Sequence, residues 1–218
     1  MDINLKLIKP FEKISQTSLI EIKNNLKSYK YKIGHTIISN IVPNEVLIII
    51  SGTARLINTN SQSKVTVDKL YENSFIGLAS LLNASGCEEL IASTDIFAIG
   101  LPDQVILNLY RNETSFRNWC DTELFPGEAL KATKIIEDSS PKASFNFNET
   151  YQFIIKNSII KTVENNQKFN TNESYQNFLM SGNVIEAKIG IFLEREKVIE
   201  TKGPLPSRFL CLKKIKDE

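Results

Sequence analysis

The chain has 218 residues, 42% of them hydrophobic and 23% charged, with a formal net charge of +1 at pH 7. That length accommodates one large domain or two small ones with a real core, and near-neutrality excludes a whole-chain electrostatic pull toward nucleic acid or a membrane surface. Cys87, Cys120 and Cys211 are odd in number and widely spaced, without a CxxC pair, which argues against a disulfide scaffold or zinc site and for a reducing compartment. The N-terminus has no signal-peptide pattern, and the longest apolar run, Val46-Leu47-Ile48-Ile49-Ile50, is too short to span a bilayer. The expected location is the cytoplasm, at the inner face of a membrane if a partner or a continuing chain holds it there.

In chain order, a helix is expected over 15–29, with Ser15 or Thr17 as cap and Leu19, Ile22 and Leu26 on one face. From Tyr31 onward the period shortens. Thr36-Ile37-Ile38 reads as a strand, Pro43-Asn44 as a turn, and Val46 to Ile50 as a β-branched strand kinked at Ser51-Gly52 and continued by Thr53-Ala54-Arg55-Leu56-Ile57. A polar loop over 58–64 leads to the alternating Val65-Thr66-Val67-Asp68-Lys69-Leu70, and strands at 90–94 and 97–101 complete the set. Many short strands with regular turns mean a sandwich or barrel. Helices are expected from Pro102-Asp103, with Val105, Ile106 and Leu109 on one side, then over 112–124, and over 128–137 after the break at Phe125-Pro126-Gly127. Asp138-Ser139-Ser140-Pro141 reads as a linker. The rest, with strands at 174–180 and 208–212 and a segment at 188–193, reads as a small strand-rich α+β unit. The lone His35 reads as an exposed turn residue. Without a cluster of histidines, a cupin-type metal enzyme is excluded, and no enzymatic role is expected.

The order helix, β-roll, helices resembles the cyclic-nucleotide-binding domain of catabolite-activator-type regulators, kinase regulatory subunits and gated channels. The residues that carry the resemblance are Tyr31-Lys32-Ile33-Gly34-His35-Thr36-Ile37, similar to the family's entry segment, and Ser51-Gly52-Thr53-Ala54-Arg55-Leu56, similar to its central strand. Leu70-Tyr71-Glu72-Asn73-Ser74-Phe75-Ile76-Gly77 looks like the approach to the phosphate-binding cassette, Ile91-Ala92-Ser93-Thr94 like the strand after it, and Leu101-Pro102 like the entry to the next helix. The resemblance implies an α+β fold with a cyclic-nucleotide-binding-type β-roll, double-stranded and jelly-roll-like, with its flanking helices over 1–138, followed by the small α+β unit over 139–218. The implied ligand-binding cassette comprises Phe75, Ile76, Gly77, Leu78, Ala79, Cys87, Glu88 and Glu89.

The family places a Glu after the glycine to accept from the ribose, and an Arg about ten residues later to pair with the phosphate. Here those positions hold Leu78 and Glu88. An acid in place of the Arg opposes a phosphate by on the order of 4 kcal/mol at an effective dielectric near 20. The resemblance to the fold therefore comes without the expectation of cAMP or cGMP as cofactor. Leu78-Ala79-Ser80-Leu81-Leu82 is similar to the cyclic-nucleotide-binding-like region ahead of cyanobacterial toxin- and peptide-secretion ABC exporters, and Leu179-Met180-Ser181-Gly182-Asn183-Val184 and Leu205-Pro206-Ser207-Arg208-Phe209-Leu210 resemble the segment linking that region to their peptidase-like and membrane parts. That implies a membrane or ATPase partner, although the chain carries no phosphate loop. The competing reading is a catabolite-activator-type transcription regulator. It needs a basic recognition helix, and the candidate stretch 193–200 carries Glu194, Glu196 and Glu200 beside Arg195 and Lys197. Lys213-Lys214-Ile215-Lys216 reads as a solvated tail, and nucleic acid is not an expected partner. In the family the helix after the roll pairs with its twin, and Phe116, Trp119, Cys120 and Leu124 on 112–124 offer a face for a homodimer.

Overall fold

The structure, a computed structural model, describes residues 3–59, 64–139, 145–164, 166–169, 174–182, 189–190, 192–193, 197–198 and 206–214. The chain groups into two units: Met1–Leu81 with Glu88–Cys120, and Leu82–Cys87 with Asp121–Glu218. The division therefore differs from the one expected at 138/139. The polar run at Asp138-Ser139 that looked like a linker is the last turn of a continuous helix, and the short segment Leu82–Cys87 belongs to the second unit.

The first unit opens with two 3-10 turns, Leu5–Leu7 and Lys9–Phe11, and helix α1 (Gln16–Asn25). Ser15 caps α1, its Oγ accepting from the Ser18 N–H at 3.2 Å. The expected helix is four residues too long: Leu26 turns extended, with ψ 129°, and Lys27–Tyr31 forms strand β1. Its alternating Ser28, Tyr29, Lys30 and Tyr31 pair antiparallel with the strand at Ile96–Pro102, so sheet pairing overrides a weak helical period.

The remaining strands are β2 (Thr36–Ser39), β3 (Glu45–Ser51), β4 (Ala54–Asn58), β5 (Val65–Leu70), β6 (Phe75–Ile76), β7 (Glu89–Ala92) and β8 (Ile96–Pro102), with the short helix α2 (Leu78–Leu82) between β6 and β7. They form two four-stranded antiparallel sheets of order β1-β8-β3-β6 and β2-β7-β4-β5. Val46, Ile48 and Ile49 on β3 and Leu56 on β4 are fully buried, each worth about 1.5–3 kcal/mol of transfer free energy. Helices α3 (Asp103–Asn112) and α4 (Thr114–Thr122) follow.

The α4 face that looked free for a twin is used within this unit. Phe116 and Cys120 are buried, Phe116 stacks on Phe11 at 5.9 Å between centroids, and Trp119 tilts over Phe75 at 5.1 Å. Five aromatic and apolar groups thus meet inside the chain, where the sequence showed only an apolar stripe. His35 lies exposed in a turn, its N–H donating to Lys32 O.

The second unit contains α5 (Pro126–Ser139), α6 (Phe147–Asn157), and strands β9 (Ser158–Val163), β10 (Lys168–Phe169), β11 (Tyr175–Ser181), β12 (Phe192–Leu193), β13 (Lys197–Val198) and β14 (Ser207–Lys213). Pro126 breaks the chain and also starts α5, where its missing N–H costs nothing. The main sheet has order β12-β11-β14-β9, and β10 pairs with β13. Val163, Phe169, Leu179, Leu193, Phe209 and Cys211 form its core, with the Phe169 and Phe209 rings stacked at 4.0 Å. The described residues of 193–200, the candidate recognition stretch, lie in β12 and β13 and are extended. Residues 140–141, 183–184, 188, 191, 205 and 215–216, used in the linker, exporter-resemblance, strand-rich segment and tail readings, lie outside the described residues.

A cassette closed by its own carboxylate

β6 delivers Phe75 and Ile76 into the first unit's core and ends at Gly77, which carries φ +87°. Only glycine fits there without strain, and a Cβ would also sit 2.6 Å from Pro43 Cγ. The Gly77 carbonyl accepts from the Leu81 N–H at 2.9 Å, closing the first turn of α2. Leu78 and Ala79, at the start of α2, are both fully buried.

Glu88 occupies the position expected to oppose a phosphate. Its backbone carbonyl accepts from the Asn40 N–H at 2.6 Å, which fixes it beside the end of β2. Its side chain turns back, and Oε2 accepts from the Gly77 N–H at 2.5 Å. Glu88 is 3% exposed. The amide at the end of β6 is thus satisfied by a side-chain oxygen of the chain itself.

Of the expected cassette residues, the first unit brings together Phe75, Ile76, Gly77, Leu78, Ala79 and Glu88. Glu89 begins β7 and its carboxylate meets the Lys64 ammonium at 3.1 Å. Cys87 is buried but belongs to the second unit. Arg55 lies on β4 with its Nε buried and without a hydrogen-bond partner among the described residues.

In the second unit, sequence reading missed a buried polar cluster. Arg208 on β14 is 2% exposed, and its Nε and Nη2 donate to the Glu128 oxygens Oε1 and Oε2 at 2.9 and 3.0 Å. Asn83 Nδ2 donates to Glu128 Oε1 at 2.8 Å, and the Phe125 N–H to Oε2 at 3.2 Å. Beside them, Lys131 Nζ donates to Ser85 Oγ at 2.8 Å and to the Met180 carbonyl at 3.1 Å. Burial holds the Lys131 ammonium below its usual pKa, partly offset by Cys87 and Glu128. The available signal was a lone arginine heading the apolar run Phe209-Leu210-Cys211-Leu212, since a buried arginine demands a carboxylate.

No protein-family model matches the chain, and no curated protein does. Among solved structures, it is similar to the regulatory subunit of a cAMP-independent protein kinase A from Trypanosoma brucei, at 16% identity and a TM-score of 0.43, covering 53% of this chain and 47% of that one. It therefore spans about half of that protein. It is also similar to the regulatory domain of Toxoplasma gondii protein kinase A, solved with cAMP, at 12% identity and TM-score 0.48, covering 96% of this chain and 86% of that one. A third is the catabolite activator protein of Thermus thermophilus, at 16% identity and TM-score 0.43, covering 60% and 59%. Among the described residues, no helix is long and apolar enough to cross a membrane.

Proposed function

We propose that this chain is a regulatory or docking module built on a cyclic-nucleotide-binding-type jelly roll that acts without cAMP or cGMP. The observation that carries the reading is the bond from the Gly77 N–H to the buried Glu88 carboxylate. A cyclic phosphate at the same amide would have to expel Glu88 and then lie against its charge, with no arginine in the Glu88 position to compensate. The eight-strand order, with α2 between β6 and β7, supports the roll assignment. The module's role is then to present a fixed surface to a partner and not to sense a nucleotide.

The partner we propose is the membrane and ATPase portion of a peptide- or toxin-type ABC exporter, which rests on the sequence resemblance alone. The extended β12 and β13 in the candidate recognition stretch favour this over a DNA-binding regulator. Calorimetric titration with millimolar cAMP and cGMP tests the nucleotide reading: no heat and no rise in Tm are expected, and saturable binding of either overturns it. The exporter reading is tested by co-expressing the chain with a membrane-spanning ATPase encoded beside its gene. Stoichiometric co-purification is expected, and its absence overturns that assignment without touching the first.

A further inference from the structure

The two edge strands β1 and β2 border a cleft of about 820 Å³, within the size range of small-molecule sites. It includes neither Gly77 nor Glu88. Its floor is one face of the β1-β8-β3-β6 sheet, where Lys27, Gly100, Leu47 and Ile76 stand opposite one another in register. Gly100 opens this face: a Cβ there would sit 2.6 Å from Tyr29 Cε2 and 3.0 Å from Leu47 Cδ2. The missing side chain lets the Tyr29 ring lie across the sheet. Tyr31 stacks beside it at 6.4 Å and 20°, so two parallel rings pave one side. Ile41, 58% exposed, stands on the rim and Ile38 on the β2 wall.

One end of the cleft is polar. Glu45 accepts from the Tyr29 hydroxyl through Oε2 and from the Lys27 ammonium through Oε1. These bonds, outweighing burial, hold its carboxyl below the usual range, and the Tyr29 hydroxyl is pushed up to about 12. A carboxylate offers about four lone-pair positions, and Glu45 uses two. It therefore keeps acceptor capacity beside a paved aromatic surface, while Lys27 already balances its charge.

We propose that this seam is a binding site for a flat, uncharged aromatic molecule bearing one hydroxyl or N–H donor, its ring on Tyr31 and its donor on Glu45. The face supplies stacking in addition to burial. The unused lone pairs select the donor, since a hydrogen bond to a charged group is stronger than one between neutral groups. The site shares Ile76 with the cassette but takes in neither Gly77 nor Glu88, so its test does not depend on whether a nucleotide binds there.

The test is an amide-shift titration of the full ¹⁵N-labelled chain with 2-naphthol, and with 2-methoxynaphthalene as the same shape without the donor. Saturable binding of 2-naphthol is expected, with shifts on β1, β2 and residues 39–45, and at least tenfold weaker binding of the methoxy compound. Tyr31→Ala should weaken 2-naphthol binding at least tenfold. Ile41→Arg, at an exposed rim position, should weaken it as well and serves if the first variant fails to fold. Absent or non-saturable binding, shifts centred elsewhere, equal affinity for the two probes, or unchanged affinity in a folded variant overturns the proposal.

Discussion

Glu128 and Arg208, 80 residues apart in sequence, form a bidentate ion pair in which both side chains are essentially inaccessible to water. Glu128 also accepts from Asn83 and the Phe125 N–H, so four donors satisfy one carboxylate. Desolvating both ions is costly, so the pair adds little beyond what apolar residues of the same size would give, but breaking it strands a buried charge. Arg208→Met is expected to cost about 3–5 kcal/mol in urea unfolding. Glu128→Leu combined with Arg208→Met should be more stable than either single variant.

Glu88→Ala leaves the buried Gly77 N–H without its acceptor. The expected loss is about 1–3 kcal/mol, read as a lower urea midpoint. Glu88→Gln, which keeps an oxygen at the same place, should lose less than half of that. Equal losses for the two would refute the role given to the carboxylate oxygen.

Tyr29 predicts a feature of the alkaline limb. Its hydrogen bond to Glu45, with burial, raises its pKa from 10.0 to about 12. The folded state holds this proton more tightly than the unfolded state, so the contribution is complete below pH 10 and is lost as pH rises toward 12. Tyr29→Phe should flatten the fall in Tm over that window, and should remove one late-ionising ring from the tyrosinate absorbance titration of the native protein.

The acid limb involves Glu113. Burial opposes its charge, but hydrogen bonds from the Ser15 and Ser18 hydroxyls and the Ser15 N–H outweigh it and hold the carboxyl below its ordinary 4.5. A depressed carboxyl stabilises the fold above the unfolded value, and that stabilisation disappears as pH falls through the folded one. Glu113→Gln should lower Tm at pH 7 and make it less dependent on pH below 4.5.

All three cysteines are buried, and burial pushes the Cys211 thiol up to about 11, against a smaller opposite pull from Lys161. A thiol-disulfide reagent at pH 8 is expected to modify none of them in the native protein and all three in guanidinium. Rapid native modification of one would show that its segment opens locally.

The β3–β4 region was legible because Val46 to Ile50 and Ala54 to Ile57 are β-branched, apolar and separated by a glycine, so local pattern and tertiary fate agree. At the cassette, Leu78 and Glu88 in place of the expected Glu and Arg were legible. What Glu88 does was not, because its partner is a backbone amide eleven positions away, and every residue has one. The first three residues of β1, Lys27-Ser28-Tyr29, were read as helix because they follow the apolar helical spacing of Leu19, Ile22 and Leu26 without a break. The strand character of β1 comes from pairing with β8, more than sixty residues later. The Glu128–Arg208 pair lay hidden for the same reason, as a long-range relation between two residues that look ordinary in isolation.

The short stretch Leu82–Cys87 interrupts the first unit while belonging to the second. Asn83 bonds forward to Glu128, Ser85 to Lys131, and the Leu82 carbonyl accepts from Ser181 Oγ at 3.4 Å. The second unit is consequently discontinuous in the chain. During synthesis its first piece emerges almost a hundred residues before Ser181, so it must wait, incompletely satisfied, for the strands that complete it. Neither unit can be released by one backbone cut, and only excision of the whole stretch, by cuts on both sides of it, would take from the second the Asn83 donor to Glu128 and the Ser85 acceptor of Lys131.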